Sequence, residues 1–204
     1  MHRRAFLFGA AAAAASTVAR AKQDNIGGLQ RAYVEHPQII RQQCPEWCWA
    51  ASASMIFAHL GHPVDQMKIV QRLFGGLVCS PSGNTINIAR ILSAPWVDDN
   101  GKPFQCQIVG AYDPMNGIAA INNQFIINEL VNDRPLLYCN THHAMVVVDF
   151  NYAVAPNGMI VPQQVGVLDP WPMSPAFHPL SMPEMTGATV MPGGQMTFLA
   201  AVHV

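Results

Sequence analysis

The stretch that decides the fold lies at residues 41–52 and reads Arg41-Gln42-Gln43-Cys44-Pro45-Glu46-Trp47-Cys48-Trp49-Ala50-Ala51-Ser52. From Glu46 to Leu60 the chain carries helix formers with apolar or small residues at helical spacing, and Gly61 follows as a stop. We therefore predict a buried helix over 46–60. Cys48 falls in its first turn, where unpaired backbone N–H groups and the helix dipole favour an anion. A nearby imidazolium can lower a cysteine pKa there from about 8.5 to roughly 3.5–7.5, so Cys48 is a candidate nucleophile.

The remaining chain shows helical patterns first and strand patterns later. Residues 22–43 are irregular and predict an extended arm. Three more helices are predicted, over Asp65–Phe74, Thr85–Leu92 and Ala120–Val131. After residue 135 the apolar period changes to two, which predicts strands over Leu136–Cys139, Ala144–Tyr152, Met159–Leu168 and Met196–Val204. This order favours an α+β fold, with an N-terminal helical part that carries Cys48 packed on a C-terminal antiparallel sheet.

Length and composition exclude some classes of protein. The 204 residues suit one domain, and 50% are hydrophobic while only 11% are charged, so a long disordered chain is not expected. Lys and Arg number 11 against 12 Asp and Glu, and no basic cluster follows the first residues. The charge pattern of a nucleic-acid-binding protein is therefore missing.

Residues 1–21 have the pattern of an export signal. Arg3-Arg4 precede an apolar, alanine-rich run, and Ala19-Arg20-Ala21 ends in a small-x-small cleavage site, as in signals of the twin-arginine type. A membrane anchor is the rival interpretation, but this run is shorter than the roughly 20 apolar residues that span a bilayer. We expect one domain over 22–204 that is periplasmic or secreted, monomeric, and free of membrane contact after the signal is removed.

A nucleophilic cysteine needs a base and a group that orients the base. His143 opens the strand-like run 144–148, and Asp169 follows the strand-like run 165–168. These two residues can meet if their strands pair as an antiparallel hairpin.

These residues together resemble the papain-like cysteine peptidase superfamily. Gln42 lies six residues before the tripeptide Cys48-Trp49-Ala50, the pair His143-Ala144 matches the family's His-Ala motif, and Asp169 is followed two positions later by Trp171. The sequence around Cys48 and Asp169 looks most similar to compact bacterial branches of this superfamily, which include avirulence-effector proteases of plant pathogens and bacteriocin-leader-peptidase-like domains.

The resemblance implies a papain-like fold and a role for each matched residue. Cys48 would be the nucleophile, His143 the acid/base, Asp169 the orienting group, and Gln42 with the Cys48 N–H the oxyanion hole. The implied activity is hydrolysis of peptide bonds in a peptide or protein substrate, without a metal or other cofactor. A transamidase or deamidase with the same triad, or a catalytically silent module that binds peptides, are the alternatives.

Some assignments stay open at this point. His142 could be the base instead of His143, and Gln43 could replace Gln42 if the register slips by one. Cys139 with His142 and His143 could bind zinc, but they lack the spacing of known zinc motifs. Trp49 lies beside the nucleophile, and Trp171 is either a core residue or, as the resemblance implies, a cover for the bond between His143 and Asp169.

Five cysteines in an exported chain suggest one free thiol and up to two disulfides. Cys48 would be the free one. The resemblance implies a disulfide between Cys44 and Cys79, and Cys106 with Cys139 remains only by elimination. We expect His36, His59, His62, His178 and His203 to be surface or core residues without a partner pattern.

Overall fold

A computed structural model describes residues 23–26 and 28–204, and the predicted export signal over 1–21 lies outside these described residues. The described chain has an α+β fold with four α-helices and a large antiparallel sheet. The helices are α1 (Cys48–His59), α2 (Gln66–Phe74), α3 (Thr85–Ile91) and α4 (Asn123–Val131). Among the described residues, no helix is both long enough and apolar enough to cross a membrane.

Eleven strands are found in the described residues. They are β1 (Gln23–Ile26), β2 (Leu29–Tyr33), β3 (Pro95–Val97), β4 (Pro103–Gln105), β5 (Gln107–Asp113), β6 (Ile118–Ala119), β7 (Leu136–Cys139), β8 (Ala144–Val154), β9 (Ile160–Leu168), β10 (Phe177–Pro179) and β11 (Phe198–His203). The main sheet has the order β1-β2-β8-β7-β11-β5-β6, with β9 pairing with β8 and β10 pairing with β9. Strands β3 and β4 form a separate hairpin.

Strand β8 is the centre of this arrangement. Its first residues, 144–147, pair with β7, residues 149–152 pair with β2, and β9 runs antiparallel along its length. Helix α1 packs against β7 and β8 on one side and against α2 on another. Residues 49–57 of α1 are all buried as a result, and the small residues among them let neighbouring elements approach closely.

The four predicted helices and the four predicted strands are present, with ends that differ by up to three residues. Helix α1 begins at Cys48 and not at Glu46, because the chain turns at 43–46 before it enters the helix. Helix α4 begins at Asn123, because the Asn122 side chain accepts a hydrogen bond from Phe125 N and caps the helix there.

The predicted order, with all helices before all strands, is wrong, because six strands of the described chain precede the last helix. Strands β1 and β2 lie inside the segment expected to be an extended arm, and β3 to β6 lie between α3 and α4. Strand β2 pairs with β8 and β5 pairs with β11, in both cases with residues far away in sequence. Such pairing depends on partners that a local hydrophobic pattern does not reveal.

Of the two expected cysteine pairings, Cys44–Cys79 is confirmed and Cys106–Cys139 is not. Cys44 and Cys79 form a disulfide with a Cα–Cα distance of 5.9 Å, whereas Cys106 and Cys139 are buried free thiols, so their expected pairing is wrong. Cys139 pairs in register with one end of β11, and Gln107, next to Cys106, pairs with the other end. At about 3.3 Å per residue the two thiols lie too far apart for a disulfide.

Candidate active site

Cys48 is the first residue of α1, and its free thiol is partly exposed. The residue before it, Trp47, occupies the N-cap position, and no side chain in the described chain caps this helix. The positive end of α1 therefore faces Cys48 without a competing side-chain acceptor.

Two indoles and the disulfide attach residues 78–80 to the start of α1. Trp47 Nε1 donates to the Val78 carbonyl at 2.7 Å, and Trp49 Nε1 donates to the Ser80 carbonyl at 3.3 Å. The Cys44–Cys79 disulfide lies between these two attachments. Residues 81–85, which follow directly, form one side of the cleft beside Cys48.

A tight turn places His143 on the opposite side of the cleft. The Asn140 side-chain oxygen accepts hydrogen bonds from the backbone N–H groups of His142, at 2.9 Å, and His143, at 2.7 Å. The Asn140 N–H in turn donates to the His143 carbonyl at 2.9 Å. This turn joins β7 to β8, so His143 directly precedes a buried, rigid strand.

The pairing of β8 with β9 brings Asp169 to the same end of the sheet. Val146 pairs with Leu168, and the antiparallel direction then carries Asp169 toward the turn that holds His143. His143 Nε2 lies 2.6 Å from Asp169 Oδ1. The ring of His143, and not that of His142, makes this contact, while the exposed His142 lines the cleft.

The protonation of His143 follows from its two neighbours. Burial works against the charged imidazolium, but interactions with Asp169 and Cys48 outweigh it and raise the pKa of His143 from 6.5 to about 9. Since Nε2 faces Asp169, Nδ1 is the ring nitrogen that remains for the Cys48 thiol. At neutral pH this raised pKa keeps a proton on each nitrogen of His143, with the negative charge of Asp169 beside Nε2.

Asp169 is buried and accepts several hydrogen bonds. The Trp171 backbone N–H donates to Oδ1 at 2.8 Å, and His178 Nε2 lies 3.2 Å from Oδ2. Burial alone would raise the pKa of Asp169, but the hydrogen bonds from His143 and Trp171 hold it well below its ordinary range. Asp169 therefore stays ionised as a counter-charge for His143.

The turn after Asp169 is fastened to the chain just before α1. Arg41 Nη1 contacts the carbonyls of Asp169 at 3.0 Å, Trp171 at 2.6 Å and Ser174 at 3.2 Å. The Gln42 N–H donates to the Pro170 carbonyl at 3.0 Å. These contacts link the position of Asp169 to the segment that leads into Cys48.

Gln42 itself is buried, and its side chain is turned toward this segment. Its Nε2 donates to the carbonyls of Cys44, at 3.0 Å, and Pro45, at 2.7 Å, while its Oε1 has no hydrogen-bond partner among the described residues. Gln43 is exposed, and its backbone N–H is bound by the Gln66 side chain. The oxyanion role of Gln42 stays a prediction, because its amide donors are occupied in this arrangement.

Trp171 is not a core residue, since 36% of its surface is exposed. Its hydrogen bond to Asp169 is donated by the backbone N–H and not by the indole. Its side chain lines a separate shallow pocket with Gln42, Pro172 and Met173.

The cleft beside Cys48 has a volume of about 250 Å³ and is open to solvent. Its lining consists of the start of α1 and the nearby α3, the 81–85 segment, the turn at 139–144 and Thr197. A larger concavity of about 720 Å³ surrounds the ion pair of Arg31 and Asp149, but neither Cys48 nor His143 lines it. Within residues 23–26 and 28–204, no group of three or more His, Cys, Asp or Glu residues is placed to bind a metal ion.

Three residues of this site are not indicated by the sequence pattern: Arg41, Asn140 and His178. The side chains of Arg41 and Asn140 hydrogen-bond to backbone groups of other residues, which residue type alone does not indicate. His178 was expected to have no partner pattern, yet it contacts Asp169. Only its position nine residues after Asp169 could have indicated this contact, because β10 pairs antiparallel with β9 and brings His178 back toward Asp169.

No protein-family model matches the chain, and a search of curated proteins found no significantly similar relative.

Proposed function

We propose that this protein is a papain-like cysteine peptidase that hydrolyses peptide bonds through an acyl-enzyme on Cys48. The observation that carries the proposal is the 2.6 Å contact between His143 Nε2 and Asp169 Oδ1, which leaves Nδ1 for the thiol at the start of α1. Nucleophile, base and orienting group then follow one another in the order that cysteine peptidases require.

In the first half of the reaction the Cys48 thiolate attacks the carbonyl carbon of the scissile peptide bond. The tetrahedral intermediate collapses to a thioester as the C–N bond breaks, and the His143 imidazolium gives its Nδ1 proton to the leaving amine. In the second half, neutral His143 takes a proton from water while the water oxygen attacks the thioester. Release of the carboxylic acid leaves a thiolate, with the proton back on His143.

The oxyanion of the tetrahedral intermediate needs donors at the start of α1. The Cys48 N–H is one, because the first N–H groups of a helix have no partner within the helix. Gln42 becomes a second donor if its Nε2 leaves the carbonyl of Cys44 or Pro45 when substrate binds. One donor of an oxyanion hole typically contributes about 10²–10³-fold to the rate.

The cleft favours peptide segments with uncharged side chains. Apart from His142 and His143, the described residues that line it carry no Lys, Arg, Asp, Glu or His. Away from Cys48 and His143, a charged substrate side chain would lose hydration there without meeting the opposite charge of a Lys, Arg, Asp or Glu side chain. The open shape suits an extended peptide better than an enclosed small molecule.

Export fits this proposal. Residues 1–21 resemble a twin-arginine signal, and the Cys44–Cys79 disulfide is of the kind that persists in the periplasm or outside the cell. Because such signals export folded proteins, the disulfide would form after the core has folded.

The experiment is a digest of a mixed peptide library by the purified protein, with mass spectrometry of the products. We expect new peptide termini with wild type and none with Cys48→Ser. The matched control is His62→Ala, which removes another histidine–carboxylate contact of 3.2 Å at the far end of α1. Deamidated or amine-linked products without cleavage would instead identify the deamidase or transamidase reaction, and unchanged peptides would contradict the proposal.

A further inference from the structure

Asp169 is shared between two imidazole rings. Oδ1 faces His143 at 2.6 Å, and Oδ2 faces His178 at 3.2 Å. The Trp171 N–H also binds Oδ1 at 2.8 Å. Both oxygens of the carboxylate therefore have donors, and the Ser174 side chain is a further hydrogen-bond partner of Asp169. The His178 contact on Oδ2 has no place in the reaction proposed above.

His178 is held on a defined element. It lies in β10 and pairs with Val167 of β9, and the Asp169 N–H donates to the Ala176 carbonyl at 3.0 Å to close the connecting loop. The hairpin thus returns the chain so that His178 comes back beside Asp169. Its side chain is about a quarter exposed, so it borders solvent while its ring reaches the buried carboxylate.

Both ring nitrogens of His178 face oxygen acceptors. Nε2 faces Asp169 Oδ2, and Nδ1 lies 3.1 Å from the Pro179 carbonyl. A neutral imidazole donates from one nitrogen only, whereas an imidazolium donates from both. The donor toward Asp169 is present in the charged form and in one neutral tautomer.

We propose that His178 is a positioning residue, which binds Asp169 Oδ2 and thereby keeps Oδ1 aimed at His143 Nε2. This inference rests on the proposed function. With donors on both oxygens, the carboxylate cannot rotate about its Cβ–Cγ bond without losing hydrogen bonds. The His143 ring is then held with Nδ1 toward Cys48.

The role of His178 is orientation and not additional basicity. Asp169 also contacts His143, and the Arg41 guanidinium lies on the Asp169 carbonyl. A positive charge on His178 competes with His143 for the negative charge of Asp169. Any gain for catalysis must therefore come from the geometry that His178 imposes.

The test is the rate at which iodoacetamide alkylates Cys48 in the full chain, at pH 6 and at pH 9.5, because this readout needs no substrate. We expect His178→Ala to lower the rate at pH 6 about 10-fold, as expected for loss of a hydrogen bond to a charged group, with less than about 2-fold change at pH 9.5. His178→Gln, which restores an N–H donor, should recover most of the rate at pH 6. His62→Ala should match wild type.

Several outcomes would overturn the inference. If His178→Ala lowers the alkylation rate equally at both pH values, the effect is a general structural one. A wild-type rate in His178→Ala would show that His178 has no positioning role. Equal losses of rate in the Ala and Gln variants would show that the N–H donor is irrelevant. If wild-type Cys48 reacts at pH 6 no faster than an ordinary thiol, the proposed function fails. In that case NMR tests the positioning role of His178 separately. The His143 Nε2 proton should exchange with solvent faster in His178→Ala than in wild type, and an unchanged exchange rate would refute the positioning role.

Discussion

The N-terminus of α1 differs from those of the other three helices. Helices α2, α3 and α4 are capped by Asp65, Asn84 and Asn122, whose side-chain oxygens accept backbone N–H hydrogen bonds at 2.7–2.9 Å. Helix α1 is preceded by Trp47, which makes no cap and donates its indole N–H to the Val78 carbonyl instead.

Helix α1 is therefore stabilised by burial and not by a cap, which leaves its N-terminus free to interact with an anion. A side-chain cap typically contributes about 1 kcal/mol, and α1 does without it. The burial of residues 49–57 stabilises α1 in its place. The uncapped positive end is then available to a thiolate and an oxyanion, and Trp47 supports the adjacent side of the cleft.

Replacing Cys48, the proposed nucleophile, should have the largest effect. Cys48→Ser is expected to abolish peptide cleavage, because a serine hydroxyl in this setting is far less ionised than a thiol. The thermal midpoint should stay within about 2 °C of wild type, since one partly exposed atom changes. Residual cleavage at the wild-type rate would place the chemistry elsewhere in the molecule.

Removing the Cys44–Cys79 disulfide tests how much it contributes to the stability of the fold. The Cys44→Ala/Cys79→Ala variant should lose about 3–4 kcal/mol of unfolding free energy, because the closed loop spans 35 residues. Urea unfolding with and without reductant measures this. Reductant should destabilise wild type by a similar amount and leave the variant unchanged, and an equal effect on both proteins would contradict the prediction.

The His143–Asp169 pair should make stability depend on pH. Since the folded pKa of His143 is about 9 and its ordinary value is 6.5, its contribution is fully present below pH 6.5 and is lost as the pH rises through 9. His143→Ala should therefore destabilise the protein by about 1–3 kcal/mol more at pH 6 than at pH 9.5. Urea unfolding at the two pH values checks this, and a loss that grows with pH would refute the assigned ion pair.

The smallest effects are expected at the capped helices. Asp65→Ala and Asn122→Ala should each cost about 1 kcal/mol of unfolding free energy, because each leaves a helix N–H without its acceptor. Neither variant should change the alkylation rate of Cys48. A change in that rate would show that the capped helix ends and the start of α1 are not independent.

The parts of the fold that sequence predicts best are those set by local patterns. The helical spacing of 48–59 and the alternation in 144–154 are visible without knowledge of their partners. The meeting of His143 and Asp169 was predictable only because β8 and β9 are consecutive strands that pair as a hairpin. Where the partner is remote, as for β2 and β5, the strand was missed.

The same reasoning explains the side chains that sequence placed wrongly or missed. Cys106 and Cys139 look like a pair in a count of cysteines, but they lie at opposite ends of β11. His178 resembles any exposed histidine until β10 returns along β9 and brings it to Asp169. These contacts depend on strand register, which residue type does not encode.

The most direct test of the proposed Cys48–His143 pair is the pH dependence of Cys48 alkylation by iodoacetamide, from pH 4 to 9, with each modified cysteine located by mass spectrometry. Cys106 and Cys139 are buried free thiols and serve as internal controls. An activated thiolate–imidazolium pair predicts that Cys48 reacts well below pH 8 and loses that reactivity in His143→Ala. A Cys48 that reacts only as an ordinary thiol, or equally well without His143, would contradict the account.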